Sequence, residues 1–252
     1  MCLKTKDSAL PSFNKKADSY DSFANVQTEA AEWLAEWLPK NAKNKNCLEL
    51  GTGTGLLTKH LIGRFAEIEC SDLSKEMLNK CAVKFPELKY RIRDAWKNEN
   101  MKESWDYLVH SSLLQWASNP IEVLRTWHNW MRPKGKMYGA FFIKPSLPEL
   151  LEVIEKNDPI IWHSEQTWLR VFKSAGFQII RFESESRHYS YPSALGFFKS
   201  LHETGTTLPK RTQYSEMRRF LKNYAANYRD TRGVYATWTL FRIEAEASED
   251  PG

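Results

Sequence analysis

The sequence predicts an α/β fold: a doubly wound, seven-stranded, mostly parallel sheet carrying a helical insertion before its last strand. Three observations lead there. Short strand-like runs alternate with helical stretches, a glycine-rich turn follows the first of those strands, and a carboxylate stands just beyond each of the next two.

The first helix is expected over 30–38, where Ala31, Leu34, Ala35 and Leu38 share a face and Pro39 stops the run. Strands follow at 46–50, 67–70, 88–92, 107–110 and 136–142, separated by helices at 56–63, 75–85 and 120–131. Regular alternation of this kind is the signature of right-handed βαβ units and a parallel sheet. Pro133-Lys134-Gly135 reads as a turn leading into the fifth strand. The pattern then changes. A helix at 165–175 ends at Gly176 and feeds a strand at 177–183. Two helices, 193–202 and 214–228, precede a final strand at 234–243. The stretch 193–232 therefore reads as a helical lid inserted in a single domain spanning 1–252.

Composition narrows the classes. A chain of 252 residues with 42% apolar and 13% aromatic content can bury a sizeable core. No apolar run is long enough to cross a bilayer, and the first residues lack the apolar core of a secretory signal. Cys2, Cys47, Cys70 and Cys81 show no C-x-x-C spacing, so neither a zinc site nor a disulfide framework is expected. The chain reads as cytoplasmic, with no metal and no membrane partner. A net charge of +5 is mild, and no nucleic-acid-binding motif accompanies it. The basic charge is uneven, however: Lys210, Arg211, Arg218, Arg219, Lys222, Arg229 and Arg232 face only Glu216 and Asp230 in one short stretch.

Chemistry concentrates at the predicted strand ends. Glu49-Leu50-Gly51-Thr52-Gly53-Thr54-Gly55 places alternating glycines at a strand-to-helix turn, where φ values that other residues avoid let the backbone approach a ligand. A dinucleotide fingerprint needs G-x-G-x-x-G, but Leu56 stands where the third glycine belongs. Asp72 follows the second strand; its carboxylate can accept two ribose hydroxyls, or cap a helix beginning near Ser74. Asp94 follows the third strand and can accept an adenine amino group, with Leu73 against the ring; alternatively it pairs with a neighbouring Arg. Ser111 ends the fourth strand, where the rest of such a ligand would pass.

These motifs resemble the class I, Rossmann-like S-adenosylmethionine-dependent methyltransferases. Three further matches are similar to the malonyl-[acyl-carrier protein] O-methyltransferases of biotin synthesis. The first is Phe13…Ala17-Asp18-Ser19-Tyr20-Asp21 with Gln27, and the second is Ser111-Ser112-Leu113-Leu114-Gln115-Trp116. The third joins Tyr191-Pro192-Ser193 to Leu201-His202-Glu203-Thr204-Gly205-Thr206-Thr207. The resemblance covers roughly Phe13 to Phe241. His202 stands where that family has Lys, and Trp238 where it has Tyr, so the departures lie mainly on the acceptor side.

The resemblance implies S-adenosylmethionine as cofactor, with Tyr20, Gln27, Glu49, Gly51, Thr52, Gly53, Asp72, Leu73, Asp94, Ala95 and Ser111 around it. Tyr20 is the expected catalytic residue, folding over the cofactor or steering the acceptor; its alternative is an apolar anchor of the N-terminal segment. Trp116, Lys144, His188 and His202 are the candidate acceptor contacts, each with a plain structural alternative. The implied reaction methylates the free carboxylate of a malonyl thioester on acyl-carrier protein or coenzyme A, with the basic stretch receiving an acidic carrier. Other carboxyl, C- or N-methyltransferases, a non-catalytic S-adenosylmethionine-binding protein and a nicotinamide oxidoreductase remain as alternatives.

Overall fold

The computed structural model describes residues 13–99, 104–153, 162–205 and 214–249. In chain order the elements are α1 (Asn25–Ala35), β1 (Ala42–Leu50), β2 (Phe65–Asp72), α2 (Lys75–Lys84), β3 (Lys89–Ile92), β4 (Trp105–Ser111), α3 (Pro120–Trp130) and β5 (Met131–Ile143). They continue with α4 (Pro148–Val153), α5 (Glu165–Ser174), β6 (Phe177–Tyr191), α6 (Ala194–Glu203), α7 (Tyr214–Asn227), β7 (Arg229–Asp230) and β8 (Gly233–Ala247). The sheet order is β3-β2-β1-β4-β5-β8-β6. Strands β1 to β5 pair in parallel, whereas β8 runs antiparallel between β5 and β6. All seven expected strands are present, and the two-residue β7 adds a short ribbon against the start of β8.

Period-two alternation sends neighbouring residues to opposite faces of the sheet. Cys47, Val109 and Phe142 enter one core with α1, α6 and α7, through Leu34, Phe197 and Tyr224. Leu48, Leu108 and Phe141 enter the other with α3 and α5, through Trp127, Trp130 and Phe172. Helix starts follow the side-chain chemistry. Ser74 accepts the Met77 N–H at 3.2 Å, Ser193 accepts that of Gly196 at 3.0 Å, and Pro120 opens α3 behind Asn119.

Three local expectations are corrected. The segment 56–63 is a series of turns around one 3₁₀ turn, Thr58–His60. Leu57 and Leu61 are buried as a helix would bury them, but Gly55 and Gly63 both take positive φ and interrupt the stretch at each end. Pro133-Lys134-Gly135 does not break the chain; it lies within β5, with Lys134 at φ +60° where the pairing to β4 slips register. Finally, β6 runs on from 183 to Tyr191, paired residue by residue with β8. Helix α4 had no counterpart in the sequence reading.

Candidate active site

Parallel pairing sets the site. Leu50 lies opposite both Ser71 and His110, and Asp72 opposite Ile92, so the ends of β1, β2, β3 and β4 share one edge of the sheet. That edge flanks the gap between β1 and β4, where the winding of the sheet reverses and ligands of such folds lie. A cleft of about 830 Å³, counting its open mouth, is lined there by Gly51, Gly53, Asp72, Leu73, Asp94, Ala95 and Ser111, with Tyr20 and Trp116. A second recess of about 330 Å³ is lined by Gln27, Glu49 and Thr52 and shares Tyr20, Gly51, Gly53 and Ser111 with the first.

The glycine turn and Asp72 form one unit. Gly51 takes φ +64°, and a Cβ there would come within 2.9 Å of Leu113. The Gly53 N–H donates to Asp72 Oδ2 at 2.8 Å, and the Ser74 N–H to Asp72 Oδ1 at 2.8 Å. Ser74, not Asp72, caps α2. A carboxylate has about four lone-pair positions, so some acceptor capacity remains for a further donor. Burial pushes the Asp72 pKa up, and the N–H groups of Ser74, Gly53 and Leu73 partly offset that. At the next strand end, Asp94 Oδ1 accepts the Trp96 N–H at 3.1 Å. The adjacent Arg93 guanidinium pairs with Glu69 at 2.7 Å and Glu99 at 3.1 Å.

Glu49 is fully enclosed. Thr58 Oγ1 donates to its Oε2 at 2.7 Å, and burial outweighs that bond, pushing its pKa up to about 8. Tyr20 sits in a 3₁₀ turn, Tyr20–Ser22. Burial, then Asp72 and Asp21, raise the Tyr20 pKa far above the usual phenol range, so the hydroxyl stays protonated and keeps a proton to donate. Its ring lies 6.4 Å from Phe13, which in turn meets Trp116 edge-on at 6.4 Å.

The polar atoms of the recess point to what it accepts. Gln27 Oε1, Thr52 Oγ1, Ser111 Oγ and Ser112 Oγ are buried without a hydrogen-bond partner, and all four residues line it. An unpaired buried polar atom costs about 1–3 kcal/mol. Four in one recess fit a ligand whose end there is zwitterionic, while the larger cleft has apolar walls at Leu73, Met77 and Trp96 beside its carboxylates.

A protein-family model described as "Methyltransferase domain" matches residues 22–205. The chain belongs to that family. It is an S-adenosylmethionine-dependent methyltransferase. Among similar proteins, malonyl-[acyl-carrier protein] O-methyltransferase 1 of Ilyobacter polytropus is 22% identical over 92% of this chain and 90% of its own length. The malonyl-[acyl-carrier protein] O-methyltransferase of a Paenibacillus species is 24% identical over 92% of this chain and 96% of its own. The fold is shared with the YcgJ protein of Bacillus subtilis, at a TM-score of 0.64 and 13% identity over 88% of this chain and 99% of that one. It is also shared with geranyl diphosphate C-methyltransferase of Streptomyces coelicolor, at a TM-score of 0.54 and 12% identity over 86% and 77%.

Three expected acceptor contacts of this methyltransferase stand away from the cleft. Lys144 leaves the end of β5 with an exposed side chain, its backbone N–H bonded to His163 O at 2.9 Å. His188 lies on β6, the far edge strand, its ring tilted against Tyr235 at 5.3 Å. The His202 ring, at the end of α6, is 63% exposed and 3.3 Å from Glu203. Topology explains this for Lys144 and His188: β5, β8 and β6 lie to one side of β4, whereas the cleft follows β4, β1, β2 and β3. His202 precedes Gly205 by three residues, near Phe13, but its ring is turned to solvent. The sequence reading missed Phe13, Met77, Arg93 and Trp96 as lining residues. It also assigned no role to Gln115, whose Nε2 donates to Ser112 O at 2.8 Å while its Oε1 is buried and unpartnered. Phe13 and Gln115 lay within the matched motifs; for Arg93 and Trp96 the only signal was adjacency to Asp94 and Ala95.

Proposed function

We propose that this methyltransferase esterifies the free carboxylate of a malonyl thioester carried by acyl-carrier protein, a step in biotin synthesis. One observation carries the reading beyond the names of its relatives. The three motifs that resemble the malonyl-[acyl-carrier protein] family meet at one side chain, Phe13. Its ring contacts Tyr20 and Trp116, and a Cβ on Gly205 would fall 2.6 Å from it. Segments far apart in sequence thus build one aromatic throat at the mouth of the cleft.

When bound, S-adenosylmethionine supplies an electrophilic sulfonium methyl. Asp72 would hold the ribose with its remaining acceptor capacity, and Asp94 the adenine amino group, against Leu73 and Ala95. Gln27, Glu49, Thr52 and Ser111 would hold the methionine end. An acceptor carboxylate is already ionised at neutral pH, so no general base is needed. Tyr20, kept protonated, is suited to donate a hydrogen bond that aims the acceptor. The ring cluster of Phe13, Tyr20 and Trp116 excludes water while the reactants are aligned, and alignment can lower such barriers by roughly 7–11 kcal/mol. Esterification removes a charge, so the malonyl end can proceed as an apolar chain terminus.

In this reading α6 and α7, within the inserted stretch 193–232, cover the acceptor side of a single domain. Arg218, Arg219 and Lys222 are exposed on α7 and would steer an acidic carrier; Lys210 and Arg211 lie outside the described residues. The absence of Lys144, His188 and His202 from the cleft lining favours one alternative, a methyltransferase acting on another small molecule. The test uses labelled methyl donor with malonyl-carrier, malonyl-coenzyme A, free malonate and other small acids, read by mass spectrometry. Methylation of malonyl-carrier is expected, with a KM raised about tenfold or more by R218E/R219E/K222E. Turnover of a free acid alone would select the alternative, and cofactor binding without any turnover would leave a non-catalytic binding protein.

A further inference from the structure

The segment before α1 is held to the glycine turn by side chains. Asp21 Oδ1 accepts the Thr54 hydroxyl proton, Lys84 Nζ donates to Asp21 Oδ2 at 2.7 Å, and the same ammonium donates to Thr54 O at 2.9 Å. Asp21, Thr54 and Lys84 thus close a triangle. Thr54 is buried and sits between Gly53, whose N–H holds Asp72, and Gly55. Tyr20 directly precedes Asp21 and lines the cleft together with Asp72.

A second ion pair, Asp18 to Lys80, lies one turn earlier on the same face of α2. The other flank of the segment is tied to the end of α6: Ser19 Oγ donates to Glu203 at 2.9 Å, and Lys16 Nζ to the His202 carbonyl. A lone three-residue 3₁₀ turn has almost no stability of its own. Side-chain tethers must therefore decide where the Tyr20 ring rests.

We propose that Asp21 is a positioning residue: bridged to Thr54 and Lys84, it clasps the Tyr20 turn onto the glycine turn and thereby sets how long the cofactor is retained. The inference rests on the cleft being the S-adenosylmethionine site. An exposed ion pair by itself contributes little. The clasp acts because the carboxylate also takes a hydroxyl from a buried residue of the cofactor turn, so that moving Asp21 and moving the turn become one event. Tyr20 and Asp72 then keep a fixed separation in the cleft.

The experiment compares full-length wild type with Asp21→Ala, Asp21→Asn, Thr54→Val and the Asp21→Ala/Thr54→Val double variant. S-adenosylhomocysteine affinity is measured by calorimetry, its dissociation by stopped flow, and KM for each substrate by steady-state kinetics; near-UV circular dichroism checks the fold. Asp21→Ala is expected to raise the Kd about tenfold, mostly through faster dissociation, and to raise the cofactor KM while leaving the acceptor KM unchanged. Asp21→Asn, which keeps an acceptor for Thr54, loses less. Thr54→Val loses about as much as Asp21→Ala, and the double variant no more than the worse single. Wild-type affinity in a folded Asp21→Ala variant, or fully additive losses in the double, overturns the clasp alone. Wild-type protein that binds no S-adenosylhomocysteine overturns the cofactor site and the clasp together.

Discussion

Burial sets the behaviour of single ionisable groups here, and Glu49 makes the consequence measurable. Its pKa, near 4.5 in an unfolded chain, is pushed up to about 8 in the folded one. Between those values the folded protein holds a proton that the unfolded chain has released. The stability Glu49 contributes is therefore complete below pH 4.5 and is lost as pH rises towards 8, at up to roughly 1.4 kcal/mol per pH unit. Urea unfolding of the cofactor-free protein should show Glu49→Gln gaining on wild type steadily from pH 5 to 8. A difference that does not change with pH would refute this. His110 has the opposite sign: buried against Trp127 and Phe141, its pKa falls to about 3, and its contribution is lost as pH drops below 6.5. Sequence could locate Glu49, Asp72 and Asp94, because a residue following a parallel strand can only stand at that edge of the sheet. It could not separate Lys144 from Ser111 in the same way, since which strand neighbours which is a property of the assembled sheet.

Between elements, helix α1 and the β6–β8 hairpin are joined by stacked cations and indoles. The Arg242 guanidinium lies 4.2 Å from both the Trp33 and Trp37 ring centres, with Arg181 4.2 Å from Trp37 and Arg187 5.2 Å from Trp33. Glu36 and Glu183 pair with Arg242 at 2.8 and 2.6 Å. This fixes α1, and Gln27 with it, against the sheet. Arg242→Ala should cost about 1–3 kcal/mol in urea unfolding, because it removes a buried guanidinium with its stacking and hydrogen bonds while Glu36 and Glu183, both largely exposed, stay solvated. Arg242→Lys should recover less than half, lacking the planar fork; a loss below about 1 kcal/mol for the alanine variant would contradict this. None of it was legible in the sequence. Trp33 and Arg242 are 209 positions apart, and residues 183–191 lack the apolar alternation that marks a strand, although they pair with β8 throughout. The misread helix at 56–63 has the converse cause: Leu57 and Leu61 satisfy a helical period, but turns on either side of one 3₁₀ turn bury both.

For the molecule as a whole, the doubly wound topology does the decisive work. It sets the ends of β3, β2, β1 and β4 side by side, so a glycine turn and two carboxylates distant in sequence become walls of one cleft. Alternation and handedness put all the parallel strand ends on one edge; the pairing order then sets these four side by side. The aromatic throat did not follow, because it needs the N-terminal segment and the end of α6 to meet, and no periodicity encodes that meeting. The central claim is that these strand ends hold S-adenosylmethionine, and titration calorimetry with S-adenosylhomocysteine tests it most directly. Wild type should bind one equivalent, Asp72→Ala at least about tenfold more weakly, and Asp94→Ala more weakly too, each with an unchanged fold. Undiminished affinity in a folded Asp72→Ala variant, or no binding by wild type, would contradict the account.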